Sequence, residues 1–135
     1  MILRFRAWDK HNKKMFTNEE LIIWNGNVYA NDSKKLSCNH LLGWSIDDEY
    51  LMQSTGLEDD FGEEIFEGDV ILWTYWDEFE DSGRAKIVFD KGMFKLLDIH
   101  TEKEVWDSLF DCIENCNVYL QGNVYENPEL LEVEE

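Results

Sequence analysis

Between Leu51 and Trp76 the chain turns at glycines and then enters a long run of β-formers, which points to a small, mainly β fold. Leu51 to Thr55 is a short apolar–polar run that can pair as a strand. Gly56 breaks it, and the acidic stretch up to Gly62 carries too much charge to be buried. Ile65 and Phe66 resume the apolar pattern. Gly68-Asp69 reads as a tight turn. Val70-Ile71-Leu72-Trp73-Thr74-Tyr75-Trp76 follows, rich in β-branched and aromatic residues that suit a pleated surface. A Glu-Gly-Asp turn before such a run suits the opening of the first long strand of a small barrel.

The same reading extends along the chain. Residues 2–8 alternate and predict a first strand, and Lys10 to Lys14 form a basic turn. Leu21–Trp24 and Asn27–Ala30 flank Asn25-Gly26, the pair that favours a two-residue hairpin turn. Residues 36–50 are ambiguous, with room for a short helix. Asp77 to Gly83 reads as an acidic loop. Arg84–Asp90 and Met93–Asp98 read as a hairpin around Lys91-Gly92, with Ala85, Ile87 and Phe89 on one face. Val105, Leu109 and Cys112 share helical spacing, and Thr101 with Glu104 fits a capping box, so a helix is predicted over 102–112. Asn117–Leu120 and Asn123–Tyr125 read as closing strands around Gln121-Gly122, and Pro128 opens a terminal turn. A boundary near 55 divides the 135 residues into a hairpin subdomain (1–55), a barrel (56–126) and a C-terminal turn and tail (127–135).

Three segments stand out: Arg4-Phe5-Arg6-Ala7-Trp8-Asp9 with Asn12–Met15, the central block from Leu51 to Ile71, and Gly122–Leu131. Together they resemble the YopX family of phage and prophage proteins from Gram-positive bacteria. They stand at the start, middle and end in family order, while residues 17–50 match least. The resemblance implies an SH3-like barrel in the C-terminal part and no established activity, so it carries no catalytic roles onto this chain. It also implies lysines in the central turn. Here Leu57-Glu58-Asp59-Asp60-Phe61-Gly62-Glu63-Glu64 is acidic instead, while the turn glycine is kept.

Charge is the second constraint. Thirty acidic and 12 basic residues give a net charge of −18. Residues 36–83 hold 14 acids and no Lys or Arg, whereas residues 1–35 hold seven basic and four acidic residues. Such a field opposes nucleic-acid phosphate and anionic membrane surfaces and favours basic protein partners. A hydrophobic content of 44%, with 14% aromatic, argues for a packed core over disorder. No apolar run approaches the ~20 residues of a membrane span, and the polar start Met1–Arg6 does not read as a signal peptide. Three cysteines without framework spacing read as reduced thiols, and the expected location is the host cytoplasm.

No constellation points to catalysis, a cofactor or a metal. Cys38, His40, Cys112 and Cys116 lack the two-residue knuckle spacing of zinc sites. Glu58-Asp59-Asp60 and Asp77–Asp81 offer oxygen ligands without a calcium-loop pattern. Glu67 and Asp69 are the one carboxylate pair with apolar neighbours, and Asp69 suits its turn better than a general acid. Ser54, Asp98 and His100 are a trio any chain of this length offers, and no nucleophile elbow or phosphate-binding loop is present. The expectation is therefore a non-enzymatic protein-binding module. Its surface would combine the acidic rim Glu58, Asp59, Asp60, Asp77, Glu78, Glu80 and Asp81 with the aromatics Trp73, Tyr75 and Trp76. The partner would be a host or phage protein with a basic surface, and an exposed edge strand leaves self-association open. The alternative is an acidic DNA mimic that inhibits a host nucleic-acid enzyme.

Overall fold

The computed structural model describes residues 3–24, 27–31, 43–46, 50–75 and 78–131, and of these only the backbone at 24, 30–31, 43–46, 75 and 78–82. The chain is mainly β and divides into two compact units, Met1–Gln53 and Ser54–Glu135.

In the first unit β1 (Phe5–Asp9) pairs with β2 (Lys14–Phe16) on one side and with Leu51–Gln53 on the other. The turn between β1 and β2 closes on Asp9, whose carboxylate accepts from the His11 and Asn12 amides and from the Asn12 side chain. β3 (Leu21–Trp24) and β4 (Asn27–Asn31) form the expected hairpin, with Trp24 opposite Asn27. β5 (Gly43–Ile46) extends that sheet within the segment read as ambiguous. Ala7, Phe16 and Val28 are buried together, with Leu21, Tyr50 and Leu51 packed around them.

The second unit holds one antiparallel sheet in the order β11-β10-β9-β8-β12. Its strands are β8 (Asp69–Tyr75), β9 (Glu78–Asp90), β10 (Met93–Asp98), β11 (Glu104–Trp106) and β12 (Cys116–Asn123). The order is compatible with the expected SH3-like barrel. Alternation sets the core: Ile71, Ala85, Ile87, Leu96 and Val118 share one face and are fully buried. Helix α1 (Leu109–Asn115) adds Leu109 and Cys112 to that cluster, and Ile65 joins from β7 (Glu64–Phe66). β7 pairs with Ser54–Glu58 of β6 (Leu51–Glu58), with an irregular register around Gly56. Among the described residues no helix is long and apolar enough to cross a membrane.

Three sequence expectations are corrected. The helix predicted over 102–112 is shifted: 104–106 form β11, paired to β10 through Leu96–Trp106 and Leu97–Glu104. Asp98 draws the His100 and Thr101 amides into a turn, and Glu102 has a φ of 58°, so a helix cannot begin there. The helix starts later, where the Ser108 hydroxyl accepts from the Asp111 amide. The acidic loop is also absent as a loop. Its 78–83 backbone continues β9, with Ser82 opposite Thr74 and Gly83 opposite Trp73. Finally, β12 is one strand and ends at Asn123, with 124–126 in a turn. The Asn123 Oδ1 accepts from the Tyr125 and Glu126 amides there, which bends the chain out of the sheet.

Gly122 makes that bend possible. Its φ is 154°, and a β-carbon on it would collide with the Asn127 side-chain oxygen and lie 2.8 Å from Asn127 Cγ. Asn127 has little freedom to retreat, because its Oδ1 accepts from the Asn123 amide at 3.2 Å. Gly122→Ala is expected to destabilise the protein by about 1–3 kcal/mol, read as a lower urea midpoint with an unchanged slope. Asp98 supplies a pH-dependent test. Hydrogen bonds from the His100 and then the Thr101 amide hold its carboxyl below the usual range. Its folded pKa is thus below its unfolded one. Its contribution is full above roughly pH 4 and is lost as pH falls through the folded value. The stability gap between wild type and Asp98→Ala should therefore narrow in a urea series taken from pH 7 to pH 3; a constant gap would rule the carboxylate out.

Candidate protein-interaction surface

The acidic turn between β6 and β7 is built around one buried carboxylate. Asp59 is 7% exposed. Its Oδ1 accepts from the Phe61 and Glu63 amides, both at 2.9 Å, and its Oδ2 accepts from the Leu120 amide of β12 at 2.9 Å. The main chain reinforces this closure, with the Asp59 amide donating to the Glu63 carbonyl and the Gly62 amide to the Asp59 carbonyl. Gly62 takes a φ of 83°, the conformation expected of the glycine kept in this turn. Asp60 adds a second link. Its amide donates to the Val118 carbonyl at 3.0 Å, and its Oδ1 accepts from the Val118 amide at 3.4 Å. Three of the acids read as a solvated rim thus separate into roles. Asp59 binds the turn and Asp60 ties it to β12, while Glu58 points into solvent with Glu63.

Phe61 stands at the tip. It is 78% exposed, and its ring meets Tyr119 of β12 at 5.4 Å between centroids, tilted by 43°. Sequence reasoning passed over Phe61; the signal was present, an aromatic residue set among five acids beside a turn glycine.

The other expected site residues fall elsewhere. Trp73 is half-buried, packs against the core and meets Trp106 edge-on at 6.0 Å. Its indole lies so close to Gly83 that a β-carbon there would be 3.2 Å from the ring. The side chains of Tyr75, Glu78, Glu80 and Asp81, and the whole of Trp76 and Asp77, lie outside the described residues. The structure therefore packs Trp73 against the core and brings Glu58, Asp59 and Asp60 into one turn.

The candidates for other chemistry resolve into structural roles. Asp69 is buried and accepts from the Phe66 amide at 2.7 Å, closing the Glu67-Gly68 turn. Ser54 accepts from the Gly56 amide, while Asp98 holds its own loop. Cys112 and Cys116 are buried thiols at the end of α1. Burial pushes the Cys112 thiol far up, and the neighbouring Cys116 adds to this, so neither offers a ready thiolate. Cys38 and His40 lie outside the described residues. Among the described residues no group of three His, Cys, Asp or Glu could hold a metal ion.

Asp59→Ala should cost about 3 kcal/mol, since three amides lose a charged acceptor. Native-state hydrogen exchange should show the Phe61, Glu63 and Leu120 amides exchanging much faster while the Ile87 amide stays protected. Unchanged exchange at all three would show that the carboxylate does not hold the turn.

Comparison with known proteins agrees with this architecture. A search of curated proteins gave no match. Two solved structures are similar over nearly their whole length. Protein EF1440 from Enterococcus faecalis is 25% identical, with 98% of this chain and 99% of that one covered and a TM-score of 0.62. Protein yopX from Bacillus subtilis is 23% identical, with 98% of each chain covered and a TM-score of 0.66. The profile of the YopX protein family matches residues 4–132, and the chain belongs to that family.

Proposed function

We propose that the protein is a non-enzymatic binding module of a phage or prophage, acting in the host cytoplasm on a protein with a basic surface. The observation that carries this reading is Phe61, an aromatic ring 78% exposed on a turn whose geometry is set by the buried Asp59. An exposed ring on a preorganised turn loses little conformational freedom on binding, and aromatic anchors dominate binding energies. Glu58 and Glu63 flank it in solvent. They would steer a cationic partner and exclude an anionic one.

The uncompensated acids of residues 36–83 favour a second reading, in which the protein mimics nucleic-acid phosphate and occupies the binding channel of a host enzyme. One experiment separates the two. Wild type, Phe61→Ala and Glu58→Lys/Glu63→Lys are used as bait in host lysate, with and without excess duplex DNA. The binding-module reading expects a partner that resists DNA, is retained at least about tenfold less by Phe61→Ala and is released as salt rises. A nucleic-acid enzyme displaced by DNA and indifferent to Phe61 would establish mimicry instead. Equal retention by all three baits without DNA sensitivity would remove both.

A further inference from the structure

β12 is the marginal strand of its sheet, and it is a strand that invites pairing. Cys116-Asn117-Val118-Tyr119-Leu120-Gln121-Gly122-Asn123 contains no charged residue and no proline, in a chain with 42 charged residues. An uncharged, β-prone margin is the usual template for strand addition by another chain, and proteins blunt such edges with charge, proline or a cover. Pairing with β8 occupies one side of β12. On the other side, the Val118 amide and carbonyl and the Leu120 amide face outward. The structure meets them with two carboxylates and one amide: Asp59 Oδ2 on the Leu120 amide, Asp60 Oδ1 on the Val118 amide, and the Asp60 amide on the Val118 carbonyl. Phe61 covers Tyr119 of the same strand.

We infer that Asp59 and Asp60 are edge guards, whose carboxylates occupy the outer hydrogen-bonding positions of β12 and keep a second copy of this chain from adding its own β12 there. The occupant being excluded follows from the pattern of the edge. An antiparallel pair centred on Tyr119 sets Val118 of one copy opposite Leu120 of the other. Each amide that the carboxylates now satisfy would then meet a carbonyl. Such a pairing is self-complementary, the requirement for a two-fold dimer. It also places Asn117 of one copy opposite Gln121 of the other, two uncharged residues with no repulsion to prevent the contact. The repulsion comes instead from the guarding carboxylates, which a neighbouring strand would have to displace. This role concerns the inward-facing groups of the turn and is independent of what Glu58, Phe61 and Glu63 recognise.

The test is Asp59→Ala/Asp60→Ala, followed by light scattering across a concentration series. Its apparent mass should rise about twofold above wild type with two-fold closure. A companion carries the same two changes with Asn117→Lys/Gln121→Lys, which sets lysines opposite each other in the proposed pair. It should return to the wild-type mass, with far-UV circular dichroism reporting the same fold. An unchanged mass for a folded Asp59→Ala/Asp60→Ala overturns the inference. So does mass growth that the lysines leave intact, because association would then use another surface or an unfolded chain.

Discussion

A side-chain carboxylate or amide accepting from main-chain N–H groups is the interaction on which this fold repeatedly depends. Buried or strained turns leave amides that must find a partner, and in a chain short of prolines and rich in acids the partner is an Asx side chain. Asp9 closes the β1–β2 turn, Asp69 closes the Glu67-Gly68 turn, Asp98 closes the loop after β10, and Asn123 ends β12. Asp59 does this across the chain as well as locally, reaching Leu120 from the turn before β7. Each is short enough to reach its own backbone two to four residues away. Glutamate in the same positions would overshoot.

This changes the meaning of the net charge. A balance of −18 reads from composition as a surface property, a field that steers partners. Several of the acids are instead structural acceptors in buried or half-buried positions. What remains for the solvent in the central turn is Glu58 and Glu63 around Phe61. The proposed surface is accordingly smaller and more specific than the charge count suggests, and its tip is aromatic.

Local pattern and tertiary outcome diverge at identifiable residues. Val105, Leu109 and Cys112 have helical spacing, but Val105 and Trp106 lie along the β10 edge that β9 does not occupy, and strand pairing there outweighs a helical first turn. Thr101 and Glu104 have capping-box spacing, but the Asp98 carboxylate takes the Thr101 amide that a Glu104 side chain would cap. Trp73 illustrates the same point on a face. Its alternation with Ile71 is readable from sequence. Whether that face is core or binding surface depends on α1 and Trp106 arriving to cover it.

The sequence by itself determined the strand-rich class, the hairpins that pair Trp24 with Asn27 and Asp90 with Met93, a turn at Gly68 and the family, because these rest on local backbone chemistry and short motifs. The tertiary structure alone decided which acids are structural and which are free. Asp59 and Asp60 differ from Glu58 and Glu63 by the approach of β12, a strand some 60 residues further along, whose outer amides supply partners that no local window contains. Hydrogen-bond demand at a sheet margin is a property of strand order, and strand order is a long-range outcome.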